Sequence, residues 1–184
     1  MIQTLLSEKT FSTALLRWFD AHKRPLPWRL HYTPYEVWIS EVMLQQTQME
    51  RGVQYFLRWM QRFPNVTAVA EASEEEILHY WEGLGYYRRA RFLHQASKVI
   101  LEHHKGNIPS SREELLSLPG LGSYTAAAIL GIAYNQDIVT IDANVERFFA
   151  RLLNLDTPVK KKPASTTIAC ESQRLLPHGH AREY

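Results

Sequence analysis

Apolar positions recur at helical spacing along almost the whole chain. Phe11, Leu15, Leu16, Trp18 and Phe19 predict one helix from about Thr10 to His22. Pro25 and Pro27 end it, and the loop RPLPWRLHY follows. Thr33-Pro34-Tyr35-Glu36 offers a capping hydroxyl, a proline at the first helical position and a glutamate able to close a capping box. It predicts a helix running to about Gln48. Ser73 with Glu76 and Ser111 with Glu114 repeat this start signal. Helices are expected at about 51–62, 73–82, 86–104, 112–118, 123–134, 143–153 and 164–176. The run DIVTIDANV (137–145) is the only β-like stretch, and it is read as a buried extended connection. DTPVKKKPAS reads as a polar linker, and Ala181–Tyr184 reads like the first turn of a new helix. With no strand alternation and no repeat, the expected class is all-α.

Composition narrows this little. The chain has 184 residues, 45% of them apolar, enough for a core, and a formal net charge of +2. Its pI of about 8.7 permits nucleic-acid binding without demanding it. A single cysteine, Cys170, excludes an intramolecular disulfide and a cysteine-based metal cage. It is expected as a buried small hydrophobe. Glu8 and Lys9 interrupt the N-terminal apolar residues, and no stretch approaches the ~20 residues of a membrane span. The expected setting is therefore the cytoplasm, with no membrane partner.

EELLSLPGLGSYTAAAILGIA (113–133) reads as helix, tight turn, helix. Gly120 and Gly122 would let the turn take positive φ and approach a ligand closely. The second helix would then open with bare amide groups, a ready site for a DNA phosphate. An αα-hairpin that needs glycine only to turn is the plainer reading, and mechanics alone leaves both open.

Two carboxylates invite a chemical reading. Glu41 lies mid-helix with Val37, Trp38 and Leu44 as helical neighbours. A carboxyl in apolar company holds its proton more readily, as a general acid must. An exposed glutamate is the plainer alternative. Asp142 follows Ile138, Val139 and Ile141 and precedes a helix, so an N-cap is its plainer role. Cleaving an N-glycosidic bond needs a protonated leaving base and a stabilised sugar cation, which two carboxylates can share.

Four segments, in order, resemble the MutY-type adenine DNA glycosylases of the helix-hairpin-helix and endonuclease III superfamily. They are SEVMLQQTQ (40–48), GLGYYRRAR (83–91), LPGLGSYTA (118–126) and Ile141-Asp142-Ala143-Asn144-Val145. LPWR (26–29) resembles the family's adenine-pocket strip. The similarity runs from about Phe11 to Tyr184. It implies a six-helix barrel over about 26–137 containing the hairpin (about 112–134). A second lobe would be built from 1–25 plus 138–184.

The implied reaction is removal of adenine mispaired with 8-oxoguanine or guanine in double-stranded DNA, by a monomer. Glu41 would protonate the base, Asp142 stabilise the sugar cation and Asn144 help hold the site. Trp28, Arg29, Leu44 and Tyr124 would line the adenine pocket. Gln45, Gln46, Thr47, Tyr86, Leu118, Gly120, Gly122 and Ser123 would contact DNA, with Gln46 and Tyr86 pushing into the base stack. Arg88, Arg89 and Arg91 would ordinarily be a solvated face, but beside DNA they could meet phosphates. Lyase-competent relatives place a lysine where this chain has Tyr124, and a phenol forms no Schiff base.

The family's [4Fe–4S] cluster is expected with four cysteines that this sequence lacks, so no metal is expected in the chain as given. The second lobe is accordingly expected to be incomplete, through a deliberate fragment, a short reading frame or a degenerate copy. Two rival functions remain: a non-catalytic DNA-binding relic, and a sister glycosylase acting on thymine or uracil.

Overall fold

The computed structural model describes residues 7–184; the first six positions of the expected second lobe lie outside the described residues. Among the described residues ten α-helices follow one another. They are α1 (Glu8–His22), α2 (Pro34–Leu44), α3 (Met49–Arg62), α4 (Val66–Glu71), α5 (Glu74–Trp81), α6 (Arg88–His104), α7 (Arg112–Ser117), α8 (Ser123–Ala128), α9 (Ala143–Leu152) and α10 (Ala164–Leu175). A 3-10 turn spans Pro27–Arg29, and α8 runs on into a wider π-type stretch, Ile129–Ala133. No strand occurs among the described residues. The chain divides into two compact units, one from Pro25 to Ala133 and one formed by residues up to Arg24 with Tyr134–Tyr184.

In the continuous unit, α2 is the central element. Seven of its eleven residues are buried, including Tyr35, Val37, Trp38, Ile39, Val42 and Met43. A helix apolar on nearly every side must be surrounded, and α2 packs against α3, α8 and the π-type stretch. Burying those six side chains contributes on the order of 10 kcal/mol, comparable to the net stability of a domain. Its start is set as expected. Thr33 accepts from the Glu36 amide, and Glu36 accepts in return from the Thr33 amide. Ser73 and Ser111 cap α5 and α7 by accepting from the Glu76 and Glu114 amides.

Three aromatic residues tie α2, α3 and α5 together. The Tyr35 hydroxyl donates to the Phe63 carbonyl (2.7 Å) and accepts from Trp59 Nε1 (3.0 Å). Trp59 in turn meets the Trp81 ring edge-on at 5.7 Å. The short α4, absent from the sequence expectation, starts at an Asn65 cap and presents Val66, Val69 and Ala70 inward. α2 stops at Leu44, short of the expected Gln48, because the chain turns there through Gln46 at φ 57°.

In the other unit, Phe149, Ile168 and Leu175 form a small core, and Phe11, Ile141, Val145 and Tyr184 pack on it. Ser12 Oγ donates to the Leu175 carbonyl at 2.6 Å and fastens α1 to α10. The segment before Asp142 is extended but half-buried rather than buried. Two of its backbone groups bond one side chain instead of a strand. Gln173 accepts from the Val139 amide (3.3 Å) and donates to the Asp137 carbonyl (2.8 Å). Cys170 is exposed, contrary to expectation, because α10 turns Ile168, Glu171, Ser172 and Leu175 inward. At the last turn, Tyr184 N–H donates to the His180 carbonyl, a single helical bond.

His94 is 3% exposed on α6, and its Nε2–H donates to the Ala72 carbonyl at 3.0 Å. Burial, then the nearby Lys98, hold this imidazole below its usual pKa of 6.5, against a smaller opposing pull from Glu74. The unfolded chain therefore binds a proton that the folded chain refuses. The stabilisation is whole above about pH 6.5 and is lost as pH falls from there toward the folded-state value. Urea melts at pH 7.5 and pH 5.5 should show a smaller acid-induced loss for His94→Gln than for the parent, since glutamine keeps the donor to Ala72 but does not titrate. Equal losses in the two proteins would refute the assignment.

Candidate catalytic and nucleic-acid-binding site

The hairpin between α7 and α8 is anchored by two leucines. Leu118 and Leu121 are buried, and the Leu121 amide donates to the Leu118 carbonyl at 3.3 Å across the turn. Gly120 is required twice over. It sits at φ +75°, and a Cβ there would lie 2.4 Å from Phe92 Cβ. Gly122 departs from expectation, with φ −89° at the N-cap of α8, a conformation open to any residue. A Cβ at Gly122 would meet nothing within 4 Å, and no side chain caps this helix start. Ser123 and Tyr124 are exposed beside it. Thr125 and Ala126–Ala128 are buried, and the small alanines let α8 approach α2 closely.

Gln45, Gln46 and Thr47 form the turn after α2, closed by the Thr47 amide donating to the Leu44 carbonyl (3.2 Å). Gln46 and Tyr86 are both exposed and both hold left-handed backbone, at φ 57° and 48°. For non-glycine residues such geometry persists only where the surroundings impose it. Gln45, Gln46, Tyr86 and Gly120 line one cavity of about 480 Å³ with Trp38 and Phe92. The structure thus brings four of the eight residues expected at DNA to one cavity from three separate segments of this unit, while Thr47, Leu118, Gly122 and Ser123 are not in its lining.

The residues expected around adenine are not part of that cavity's lining. Trp28 is 7% exposed and meets the Phe56 ring edge-on at 5.1 Å, a core contact. Leu44 lies over Gly52, where a Cβ would come within 2.6 Å of its Cδ2. Arg29 is half-buried in the 3-10 turn. Glu41 is half-buried on α2, with Ser40 and Val42 buried on either side.

The arginines of GLGYYRRAR resolve individually. Arg91 pairs with Glu74 at 3.0 Å, and Arg88 lies over the Phe92 ring at 4.9 Å. Arg89 is neither solvated nor placed for phosphate. Its guanidinium turns onto the carbonyls of Val42, Met43 and Gln45. Burial lowers its pKa. Sequence reasoning missed this role, although Arg89 falls on the stripe of α6 that continues through the buried Leu93, Ala96 and Ile100.

In the other unit, Asp142 caps α9. One carboxylate oxygen accepts from the amides of Asn144 (2.9 Å) and Val145 (2.8 Å). The second oxygen accepts from Asn144 Nδ2 at 3.1 Å. Arg147 Nη2 donates to Asn144 Oδ1 at 2.9 Å, which fixes the asparagine amide in this orientation. The carboxylate is thus held rigidly by three donors. The residues present do not fit an iron–sulfur cluster, because the one thiol, Cys170, stands exposed on α10 where four thiolates are needed. Among the described residues no group of three or more His, Cys, Asp or Glu side chains is arranged to hold a metal ion. No helix among them is long and apolar enough to cross a membrane.

The chain is 44% identical over 151 residues to the adenine DNA glycosylase of Rattus norvegicus, covering 77% of this chain and 29% of that protein. It is 40% identical over 168 residues to the Homo sapiens protein of the same name, with 86% and 30% coverage. For Mycobacterium tuberculosis (strain CDC 1551 / Oshkosh) the identity is 41% over 143 residues, with 77% and 47% coverage. The chain therefore spans less than half the length of these curated relatives. Among solved structures, a thermostable thymine-DNA glycosylase superposes with a TM-score of 0.82 at 23% identity, covering 96% of this chain and 81% of that one. A non-covalent endonuclease III–DNA complex superposes with a TM-score of 0.76 at 20% identity, with 97% and 84% coverage. At such identities these two establish the fold. Residues 39–171 match the profile described as HhH-GPD superfamily base excision DNA repair protein, and the chain belongs to that superfamily.

Proposed function

We propose that this chain carries the catalytic part of an adenine DNA glycosylase, acting on adenine opposite 8-oxoguanine or guanine in duplex DNA. The observation that carries this reading is the identity of 44% and 40% to curated proteins named adenine DNA glycosylase, and the residues it takes for the chemistry are Glu41 on α2 of one unit and Asp142 with Asn144 at the α9 cap of the other. The open start of α8 and the turn residues Gln45, Gln46 and Tyr86 supply the DNA-facing parts. A protein of the same fold is known in complex with DNA, which is in keeping with DNA as the partner.

In this reading the adenine leaves the stack at a cost of a few kcal/mol. Glu41 donates a proton to the adenine ring, so the base departs neutral. The C1′–N9 bond breaks, and positive charge spreads over C1′ and the ring oxygen of the sugar. The Asp142 carboxylate stabilises that cation, and water adds at C1′ with loss of a proton. Asn144, locked by Arg147, keeps the carboxylate from rotating away. Tyr124 stands where an amine nucleophile would form a Schiff base, so the product is a free base and an intact abasic strand. No step is assigned to an iron–sulfur cluster.

Single-turnover release of adenine opposite 8-oxoguanine tests the reading directly. The 184-residue chain should release adenine, and strand breaks should appear only after alkali. Breakage without alkali, at the rate of base loss, would refute the monofunctional assignment. Preferential release of thymine from mismatches would refute adenine as the target.

Glu41→Gln should retain the helical signal and lose activity by about 10²–10⁴-fold, the usual contribution of a positioned proton donor.

Asp142→Asn separates capping from chemistry. Asparagine caps as well as aspartate, so the urea midpoint should barely move. Excision should fall by about 10²-fold or more with the charge gone. Unchanged excision in Asp142→Asn would leave the residue a cap and nothing else.

A further inference from the structure

The left-handed turns at Gln46 and Tyr86 raise the question of what holds two exposed, unfavourable backbone conformations side by side. The last carbonyls of a helix have no intrahelical donor, and α2 ends inside the unit. Arg89 supplies the donors. Its Nη1 lies 2.7 Å from the Val42 carbonyl, 3.0 Å from that of Met43 and 2.7 Å from that of Gln45. Its Nη2 reaches the other arm, 3.4 Å from the Leu84 carbonyl and 3.2 Å from that of Gly85. The guanidinium carbon stands 5.2 Å from the Trp81 ring centre and 5.7 Å from that of Tyr86. One planar cation therefore joins the end of α2 to the loop before α6.

The loop is pinned from its other side as well. Tyr55 donates to the Glu82 carbonyl at 2.7 Å, Arg51 donates to the Gly83 carbonyl, and Trp81 Nε1 donates to the Gly85 carbonyl at 3.1 Å. Arg89 connects this loop to the turn that carries Gln46. A lysine could not replace it, because an ammonium offers one point of donation where the guanidinium offers a planar fork.

We propose that Arg89 is a positioning residue that locks the Gln46 turn and the Tyr86 tip into one rigid two-armed wedge, which parts the base stack of duplex DNA. The assignment rests on the DNA-excision reading above for its substrate. It adds that the stacked bases are opened by a preformed tool rather than by side chains ordered on contact. Preorganisation spares the ordering entropy of both tips.

The test compares Arg89→Met and Arg89→Lys with the parent and with Arg62→Met, which removes a surface arginine paired to Glu76. Hydrogen exchange is followed at residues 44–48 and 83–88 without DNA. Fluorescence of a 2-aminopurine placed in a duplex opposite guanine reports unstacking on binding. Both Arg89 variants should keep the helical circular dichroism and exchange faster in the two loops. Both should lose the fluorescence rise by at least about fivefold at saturating protein, a loss expected if an ordered wedge is what offsets the unstacking cost. Arg62→Met should match the parent. If Arg89→Met does not fold, Arg89→Lys, which keeps the charge, decides.

Unchanged unstacking despite loosened loops would reduce Arg89 to a structural brace and overturn the proposal. Unchanged loop exchange would overturn it too. A parent chain that unstacks the duplex but releases no adenine would refute the excision reading alone. A parent chain that releases adenine without any unstacking signal would refute the wedge alone.

Discussion

The burial of α2 on nearly every side is the constraint that the rest of the larger unit answers to. A helix so enclosed cannot leave its terminal carbonyls to water, and an unmade hydrogen bond there would cost as much as a good contact gains. Its start is closed by Thr33 and Glu36, a few residues away in sequence. Its end is closed by Arg89, more than forty residues further on. The second solution couples the end of a core helix to a surface loop. Both exposed tips, Gln46 and Tyr86, then inherit the rigidity of the core. Glu41 rides on the same helix, so its backbone is held by the same six large side chains that anchor α2.

The hairpin depends on α2 from the other direction. The run of alanines lets α8 sit close to α2, and Phe92 of α6 fills the space that a Cβ at Gly120 would need. The turn is shaped by packing on one side and left open on the other, at Gly122 and Ser123. That division suits a backbone that must be fixed in place while its amides remain accessible. At Gly122 neither the backbone conformation nor the packing demands a glycine, so the demand falls on Gly120 alone of the two.

Much of this was legible in the sequence where the deciding forces are local. Thr33-Pro34-Glu36, Ser73-Glu76 and Ser111-Glu114 each mark a helix start, because a cap is made within three residues. The Asp142 cap was legible for the same reason. What escaped was decided at a distance. The six-residue α4 is stable because its apolar face packs on α6, which no local pattern announces. The end of α2 at Leu44 depends on carbonyls that Arg89 can reach. The meeting of Trp28 with Phe56, far apart in sequence, is likewise announced by no local pattern. Arg89 itself carried a signal, its place on the apolar stripe of α6. Beside Arg88 and Arg91, however, its charge reads as surface.

Asp142 shows how a structural role and a chemical one can share a side chain without competing. Capping uses one carboxylate oxygen for two backbone amides, and Asn144 occupies the other from one direction. A carboxylate has about four lone-pair sites, so three donors do not exhaust it. The donors define its plane instead. An electrostatic partner for a sugar cation needs little motion and no proton transfer of its own, and it works best when its orientation is paid for in advance. The helix that Asp142 starts does that work, and Arg147 extends it by holding the asparagine. The plain reading of Asp142 as a cap is therefore correct, and it is also what makes the catalytic reading physically reasonable.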